Sequence, residues 1–426
     1  MSKRKAPNAV SRRGFLQASA AAAATGALVT PAVHAAGNDM LKIALVGCGG
    51  RGSGAAANAL QADPNVKLVA ACDIFPDRLH EGVKNLKTSY PDKVDVPEAN
   101  QFTGFDGYKG AIDAADVVIL ATSPGFRPLH LAYAVEKGKH IFMEKPHAAD
   151  ATGVRSVIES AKLAQQKGLS LVSGFCYRYD PFKREAVKRI HDGQIGKVTT
   201  IHTTFLTGEL WFRGQNKEWS EMEYQIRNWY YYTWLSGDFI VEQAIHNVDK
   251  AHWVMGELPV AATGMGGRQV RTDPKYGNIW DNFTVVYEYA SGAKVFLQCR
   301  QTAGCYSDNN DHIIGTKGSG QLMKHTLTTD GVTWKHPGEH DFGKMYQIEH
   351  NEMFAGIRAG KPLNDGIESA YSTLMGIMGR EAAYSGQRIT WKQMLESKQN
   401  LMPKEFAWGA NKVPSVAMPG KGYKFA

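Results

Sequence analysis

Gly47, Gly49 and Gly52 stand in G-x-G-x-x-G order, with Gly50 and Arg51 inside the pattern, directly after the apolar run Leu41–Val46. An alanine-rich run, Ala55 to Leu60, follows. This spacing predicts a strand, a tight turn and a helix. The first glycine permits the turn and the second lets a pyrophosphate approach the backbone. The third lets helix and strand pack closely, with the phosphates at the positive helix N-terminus. Asp73 closes a second apolar run, Leu68–Cys72, 21 residues after Gly52. An acid there accepts hydrogen bonds from ribose hydroxyls and repels a 2′-phosphate, so NAD is expected rather than NADP. Arg78, close by, would suit the phosphate instead.

Other candidate residues fall where an open α/β sheet places its ligands, beyond the carboxyl ends of strands. Thr122-Ser123-Pro124 follows the buried-strand run 116–121, and Glu144-Lys145-Pro146 follows the short run His140–Met143. His130 lies in a helix predicted over 127–137. Thr122, Pro124, His130, Glu144 and Lys145 are thus candidates for the cofactor side. Tyr177 and Arg178, just past a strand predicted over 170–174, are candidates for the substrate side. Aromatic residues crowd 229–234. Sugars present C–H faces that suit aromatic platforms, and tyrosine hydroxyls add hydrogen bonds, which makes Trp229 and Tyr232 candidates. An aromatic core or a subunit contact would read the same way. Asp249, Arg213, Arg227 and Asn228 are further polar candidates.

These positions need elements to hold them. Up to residue 192 the pattern alternates strands with helices, including helices over 149–167 and 181–192. Beyond Gly196 it changes. Strand-like runs appear at 197–205, 259–264, 282–289 and 293–300, and Ala290-Ser291-Gly292 joins the last two as a hairpin. Few crossover helices separate them, so a mostly antiparallel sheet is expected. Residues 337–343 read as loop. Residues 366–383 read as a helix that packs back on the first domain.

At 426 residues the chain exceeds one ordinary core, which points to two domains. The formal charge is +8, but five of the 49 basic residues lie within the first 13 positions, leaving 44 against 41 acidic residues. That balance excludes a nucleic-acid footprint. The five cysteines contain no C-x-x-C pair and are expected to be free thiols without a metal site; Cys299 and Cys305 are the pair to check.

Ser11-Arg12-Arg13-Gly14-Phe15-Leu16-Gln17, an alanine-rich run to Val33, and Val33-His34-Ala35 together read as a twin-arginine export signal cleaved after Ala35. The run is too short and alanine-rich for a stable membrane span. A periplasmic or otherwise exported protein meets no pool of exchangeable nicotinamide. Its cofactor must then be held tightly and its redox state restored in each cycle.

The glycine pattern, Asp73, Thr122-Ser123-Pro124 with His130, the run from Gly138 to Pro146, and Arg178 through Pro181 to Gly193-Gln194-Ile195-Gly196-Lys197 resemble the Gfo/Idh/MocA oxidoreductase family. The resemblance covers nearly all of the chain after the leader. It implies an α/β fold: an N-terminal Rossmann domain over 37–175 and a C-terminal α/β domain over 176–365 with a large, mostly antiparallel open sheet. Residues 366–426 would be a helix and tail packing back on the first domain, and the leader occupies 1–35. A homo-oligomer built on the open sheet is also implied. The family's catalytic set is the lysine of Glu-Lys-Pro plus an aspartate and a histidine four apart. The lysine matches Lys145, the histidine matches His246, and the aspartate position holds Glu242, with the same charge on a longer arm. Glu242 and His246 at i and i+4 are expected to share one helix face. Histidine titrates near neutrality and can take a proton from a sugar hydroxyl as hydride leaves. Lys145 can polarise that hydroxyl, and Glu242 can orient the substrate.

The expected activity is NAD-dependent hydride removal from a saccharide hydroxyl. The alternative is glycoside hydrolysis by transient oxidation, elimination, hydration and re-reduction. A non-catalytic sugar-binding protein is a third possibility, disfavoured by the intact Lys145, Glu242 and His246.

Overall fold

The computed structural model describes residues 39–423 and 425. The twin-arginine leader lies outside the described residues. The first sheet has six strands: β1 (Leu41–Val46), β2 (Val66–Asp73), β3 (Gln101–Thr103), β4 (Val117–Leu120), β5 (His140–Met143) and β6 (Leu171–Ser173). Their order is β3-β2-β1-β4-β5-β6, and every pairing is parallel. Ile43 to Val46 and all of β4 and β5 are buried, as expected of strands covered on both faces. The helices are α1 (Gly50–Ala62), α2 (Pro76–Ser89), α3 (Gly107–Asp113), α4 (Arg127–Glu136) and α5 (Ala151–Gln166). Strand order reverses between β1 and β4, and the carboxyl ends of these strands carry Gly47 and Ala121. Doubly wound sheets bind ligands at that point.

The turn after β1 requires its glycines. Gly47 has φ +99, and a Cβ on it would lie 2.7 Å from the Ala121 carbonyl carbon. A Cβ on Gly52 would lie 1.9 Å from the Gly47 carbonyl oxygen. Strand and helix therefore touch backbone to backbone, and the first turn of α1 opens directly off β1.

Beyond α6 (Pro181–His191) the chain enters a nine-stranded sheet. It begins with β7 (Val198–Thr207), followed by the helical segments α7 (Glu221–Arg227), α8 (Thr233–Ser236), α9 (Phe239–Glu242) and α10 (Ile245–Met255). Strands β8 (Ala261–Gly267), β9 (Asn282–Glu288), β10 (Lys294–Gln301), β11 (Asp308–Gly315), β12 (Gly318–Gln321), β13 (Thr326–Thr329) and β14 (Val332–Lys335) follow. The chain ends with α11 (Lys344–Arg358), α12 (Gly366–Ser385), β15 (Ile389–Thr390), α13 (Trp391–Glu396) and a tail. The order is β14-β13-β12-β11-β7-β10-β9-β8-β15, antiparallel except for β7 beside β10. Among the described residues no helix is long and apolar enough to cross a membrane. All five cysteines are free thiols, and Cys299 is buried while Cys305 is exposed.

One expectation fails locally. Glu242 and His246 do not lie on one continuous helix: Glu242 ends α9, and His246 sits in the first turn of α10. The Ala244 amide reaches back to the Phe239 carbonyl, a five-residue step that interrupts the α-helical ladder. The Gln243 side chain is meanwhile held by Gln301 Nε2 at 2.7 Å.

Asp238 starts this segment at φ +73, a conformation that Asp tolerates better than most residues. Its carboxylate accepts from the Phe239 and Trp280 amides and from the Tyr384 hydroxyl, all buried. Asp238→Ala strands three buried donors at once. It is expected to lower unfolding free energy by about 3 kcal/mol, measured as a urea-midpoint shift relative to Asp238→Asn.

Candidate active site

The phosphate turn faces a cleft lined by Gly47, Gly49, Asp73, Thr122, Ser123 and His130, closed on the far side by Arg227 and Trp229. Asp73 is 8% exposed, and its orientation is fixed from the backbone. Oδ2 accepts from the Cys48 amide at 2.8 Å, and Oδ1 accepts from the Phe75 amide at 3.1 Å. Burial nonetheless raises its pKa. His130 Nδ1 lies 3.1 Å from Thr122 Oγ1, and its ring packs between Tyr108 and Phe126. Burial pushes that imidazole down to about 3, so it is neutral and serves as a wall. Pro124 is buried at the start of the turn that leads into α4. No side chain caps the first turn of α1, and no acid lies in it, so its amides are free to face an anion. This cradle fits a dinucleotide: Gly47, Gly49, Gly50 and Gly52 bring backbone to the pyrophosphate position, and Asp73 stands at the ribose position.

Arg51, from within the glycine pattern, turns away along the site. Its Nε lies 2.8 Å from Glu144 Oε1, and its guanidinium lies 4.9 Å from the Tyr346 ring centroid. Glu144 and Lys145 follow β5. Arg127, buried in the first turn of α4, donates to the Pro146 carbonyl and holds this turn from below. Lys145 Nζ donates to the Glu242 carbonyl at 2.6 Å and to Glu242 Oε1 at 3.0 Å. An ammonium has three donors, so one remains for a ligand.

His246 makes no hydrogen bond to either residue. Its ring is part-exposed, with Nδ1 buried and unpartnered, so Nε2 is the nitrogen left open. Phe175 and Tyr177 meet it edge-on, with centroids 6.1 and 5.2 Å away. Burial lowers its pKa well below the ordinary imidazole value, with Lys145, Lys250 and Arg51 adding in that order. The structure thus pairs Lys145 with Glu242 and brings the Lys145 charge to bear on His246. A neutral imidazole there can accept a proton beside a hydrogen-bonding cation.

Other sequence candidates lie elsewhere. Arg178 and Asp249 are committed to each other at 2.8 Å, and Ser372 Oγ donates to the same carboxylate at 2.7 Å. Asp249 is 1% exposed and Tyr232 is 2% exposed, so both belong to the interior. Trp229 lines the nucleotide cleft, as does Arg227. The Arg227 guanidinium lies 3.9 Å from the Phe75 ring centroid and pairs with Asp77 at 3.1 Å. Asn228 is buried and fixes the Arg213 amide, while Arg213 lies against Trp211. Three groups of α11 went unread in the sequence: Tyr346, Glu349 and His350. Burial and the Glu144 charge hold the Glu349 carboxyl well above the usual range, and neither of its oxygens is hydrogen-bonded. The Met345, Glu349, Met353 and Ile357 spacing was the available signal for this helix.

Among the described residues, one grouping has metal-ligand chemistry: Asp180, His325 and His340. The Lys183 ammonium occupies it, 2.7 Å from Asp180 Oδ2 and 3.0 Å from His325 Nε2.

Residues 41–175 match an oxidoreductase family with an NAD-binding Rossmann fold, and residues 184–321 match the GFO/IDH/MocA C-terminal domain. The chain is similar to inositol 2-dehydrogenase of Rhizobium meliloti (strain 1021), at 26% identity over 73% of this chain and 88% of that protein. It is also similar to scyllo-inositol 2-dehydrogenase (NAD(+)) of Bacillus subtilis (strain 168), at 24% identity over 82% of this chain and 96% of that one. Among solved structures, levoglucosan dehydrogenase in complex with NADH shares the fold with a TM-score of 0.66 and 19% identity. That match covers 83% of this chain and 99% of that one.

Proposed function

The chain belongs to the Gfo/Idh/MocA oxidoreductase family, and from that premise we propose that it takes hydride from a secondary hydroxyl carbon of a saccharide or cyclitol, with NAD as cofactor. The observation that carries this reading is the Lys145–Glu242 pair beside the open Nε2 of His246, at the carboxyl end of β5 next to the dinucleotide cradle. When bound, NAD+ supplies the hydride acceptor. The protein's own groups do the rest. His246 Nε2 takes the hydroxyl proton. The free donor of Lys145 binds the same oxygen and favours its developing negative charge. Glu242 fixes the lysine. Asp73 favours NAD over NADP. The inositol dehydrogenases among the relatives favour net oxidation over hydrolysis. The test is a panel of inositols and free sugars added to the NAD-loaded protein. Growth of the reduced-nicotinamide absorbance supports the reading; aryl-glycoside cleavage without net absorbance change would replace it with hydrolysis.

The protein is further proposed to be exported by the twin-arginine route with its cofactor retained. The C-terminal tail supports retention. Its Leu401 amide donates to Asp150 Oδ2 at 2.7 Å, and its Gly409 carbonyl accepts from the Met222 amide at 3.0 Å. Between these anchors Trp408 packs on Phe75 and Phe105, with centroids 5.9 and 4.8 Å away. The tail therefore backs the aromatic wall of the cleft. Trp408→Ala is expected to speed NADH release about fivefold in a stopped-flow fluorescence chase, since an aromatic pair contributes on the order of 1 kcal/mol. An unchanged release rate would remove the tail from cofactor retention.

A further inference from the structure

The usual way to fix a working imidazole is a hydrogen bond to its second nitrogen. His246 lacks one: its Nδ1 is buried with no partner. Two ring edges meet it instead, and Tyr177 supplies the nearer one, at 88° to the imidazole. Tyr177 itself packs against two buried ammonium groups. Lys250 Nζ lies 4.8 Å from its ring centroid, and Lys183 Nζ lies 5.1 Å from it. Both lysines are 0% exposed. Lys183 is anchored on Asp180 Oδ2 at 2.7 Å, and Lys250 on Asp311 Oδ2 at 2.6 Å. Asp311 is in turn fixed by Thr203, whose hydroxyl also accepts from Asn247 Nδ2. Lys250 sits four residues after His246 on α10, one turn along the same face.

We infer that Tyr177 and Lys250 are positioning residues for His246: the tyrosine ring sets the imidazole's rotation, and the buried lysine, packed on that ring from one turn along α10, holds the tyrosine in place. The inference rests on His246 being the base. Two ammonium groups against one aromatic ring, each with its own buried carboxylate, make a charged clamp on Tyr177, whose ring also meets the His246 imidazole and Phe342. The charged groups that act on that imidazole are Lys145 after β5, Lys250 on α10 and Arg51 from α1, with Tyr177 after β6 against its ring; Glu242 at the end of α9 and Asp311 on β11 pair with the two lysines. Three cations act on it. Lys145 is paired with Glu242, Arg51 with Glu144 and Lys250 with Asp311.

The sign follows. Neutral imidazole is the active form, so activity is lost as pH falls through its pKa. A depressed pKa extends activity below the ordinary imidazole value of 6.5. Removing the Lys250 charge must move the acid limb of kcat/KM upward. Lys250→Met, which removes the cation, is expected to raise that limb by about one pH unit, and adding Asp311→Asn, which removes the paired anion as well, should draw it back toward the parent. Tyr177→Leu is expected to lower kcat about tenfold with the affinity for NADH unchanged, while Tyr177→Phe stays near the parent. Nitrogen-15 NMR of His246 in the unsubstituted full chain gives a readout that needs neither variants nor turnover, and a neutral ring at pH 6 is the expected result. An unmoved acid limb, or a ring already protonated at pH 6, overturns the clamp. Failure of the underlying reading looks different: His246→Asn would keep its turnover.

Discussion

Replacing His246 by Asn is expected to lower kcat about a thousandfold at neutral pH, within the range that general-base catalysis contributes. NADH affinity should stay within about twofold, because His246 is not among the residues lining the nucleotide cleft and its Nδ1 makes no hydrogen bond that the fold depends on. Asparagine keeps a polar side chain of similar reach but cannot take a proton. The loss should therefore fall on kcat and kcat/KM together, the pattern of an interaction made in the transition state. Raising the pH should restore part of the rate, as hydroxide replaces the missing base. A variant with parental kcat would leave the imidazole without a chemical role.

Lys145→Met should be nearly as damaging, at about a few hundredfold in kcat, because the methionine stem keeps the packing and removes the donor to the developing alkoxide. Lys145 is also the partner of Glu242 at 3.0 Å, on a side chain only 11% exposed. The clean comparison is therefore Lys145→Met with Glu242→Gln, which leaves no unpaired carboxylate in the cleft. On the proposed mechanism Lys145 and His246 act on the same oxygen, so a Lys145→Met, His246→Asn double variant should be little worse than the more impaired single variant. Multiplicative losses would show instead that the two residues work on separate steps.

The parts of this architecture that were legible in the sequence are those set by backbone demands. Gly47 and Gly52 must be glycine because another backbone lies where a Cβ would be. Asp73 is found by counting from them, and continuous apolar runs betray β1, β4 and β5. The i, i+4 pairing of Glu242 and His246 was readable, but the break between them was not. It arises because the Ala244 amide takes the Phe239 carbonyl while Gln301, from a distant strand, holds Gln243. Strands β11 to β14 were missed for a related reason. Segments such as Gly318–Gln321 and Thr326–Thr329 carry little hydrophobic alternation and are strands because their neighbours pair with them. Tertiary context also decided the fate of Arg178 and Asp249. Their types and positions suit a ligand, but their geometry satisfies each inside the protein. The tail is a similar case: nothing local in Trp408 announces that it packs against Phe75, more than three hundred residues earlier.

The most direct measurement supplies the NAD-loaded full chain with inositols and sugars deuterated at their hydroxyl-bearing carbons and weighs the cofactor by mass spectrometry after a single turnover. The account predicts reduced nicotinamide carrying one deuterium, formed at parental rate by the intact chain and about a thousandfold more slowly by His246→Asn. Oxidised product alongside an unlabelled cofactor, or deuterium found only in solvent water, would contradict it.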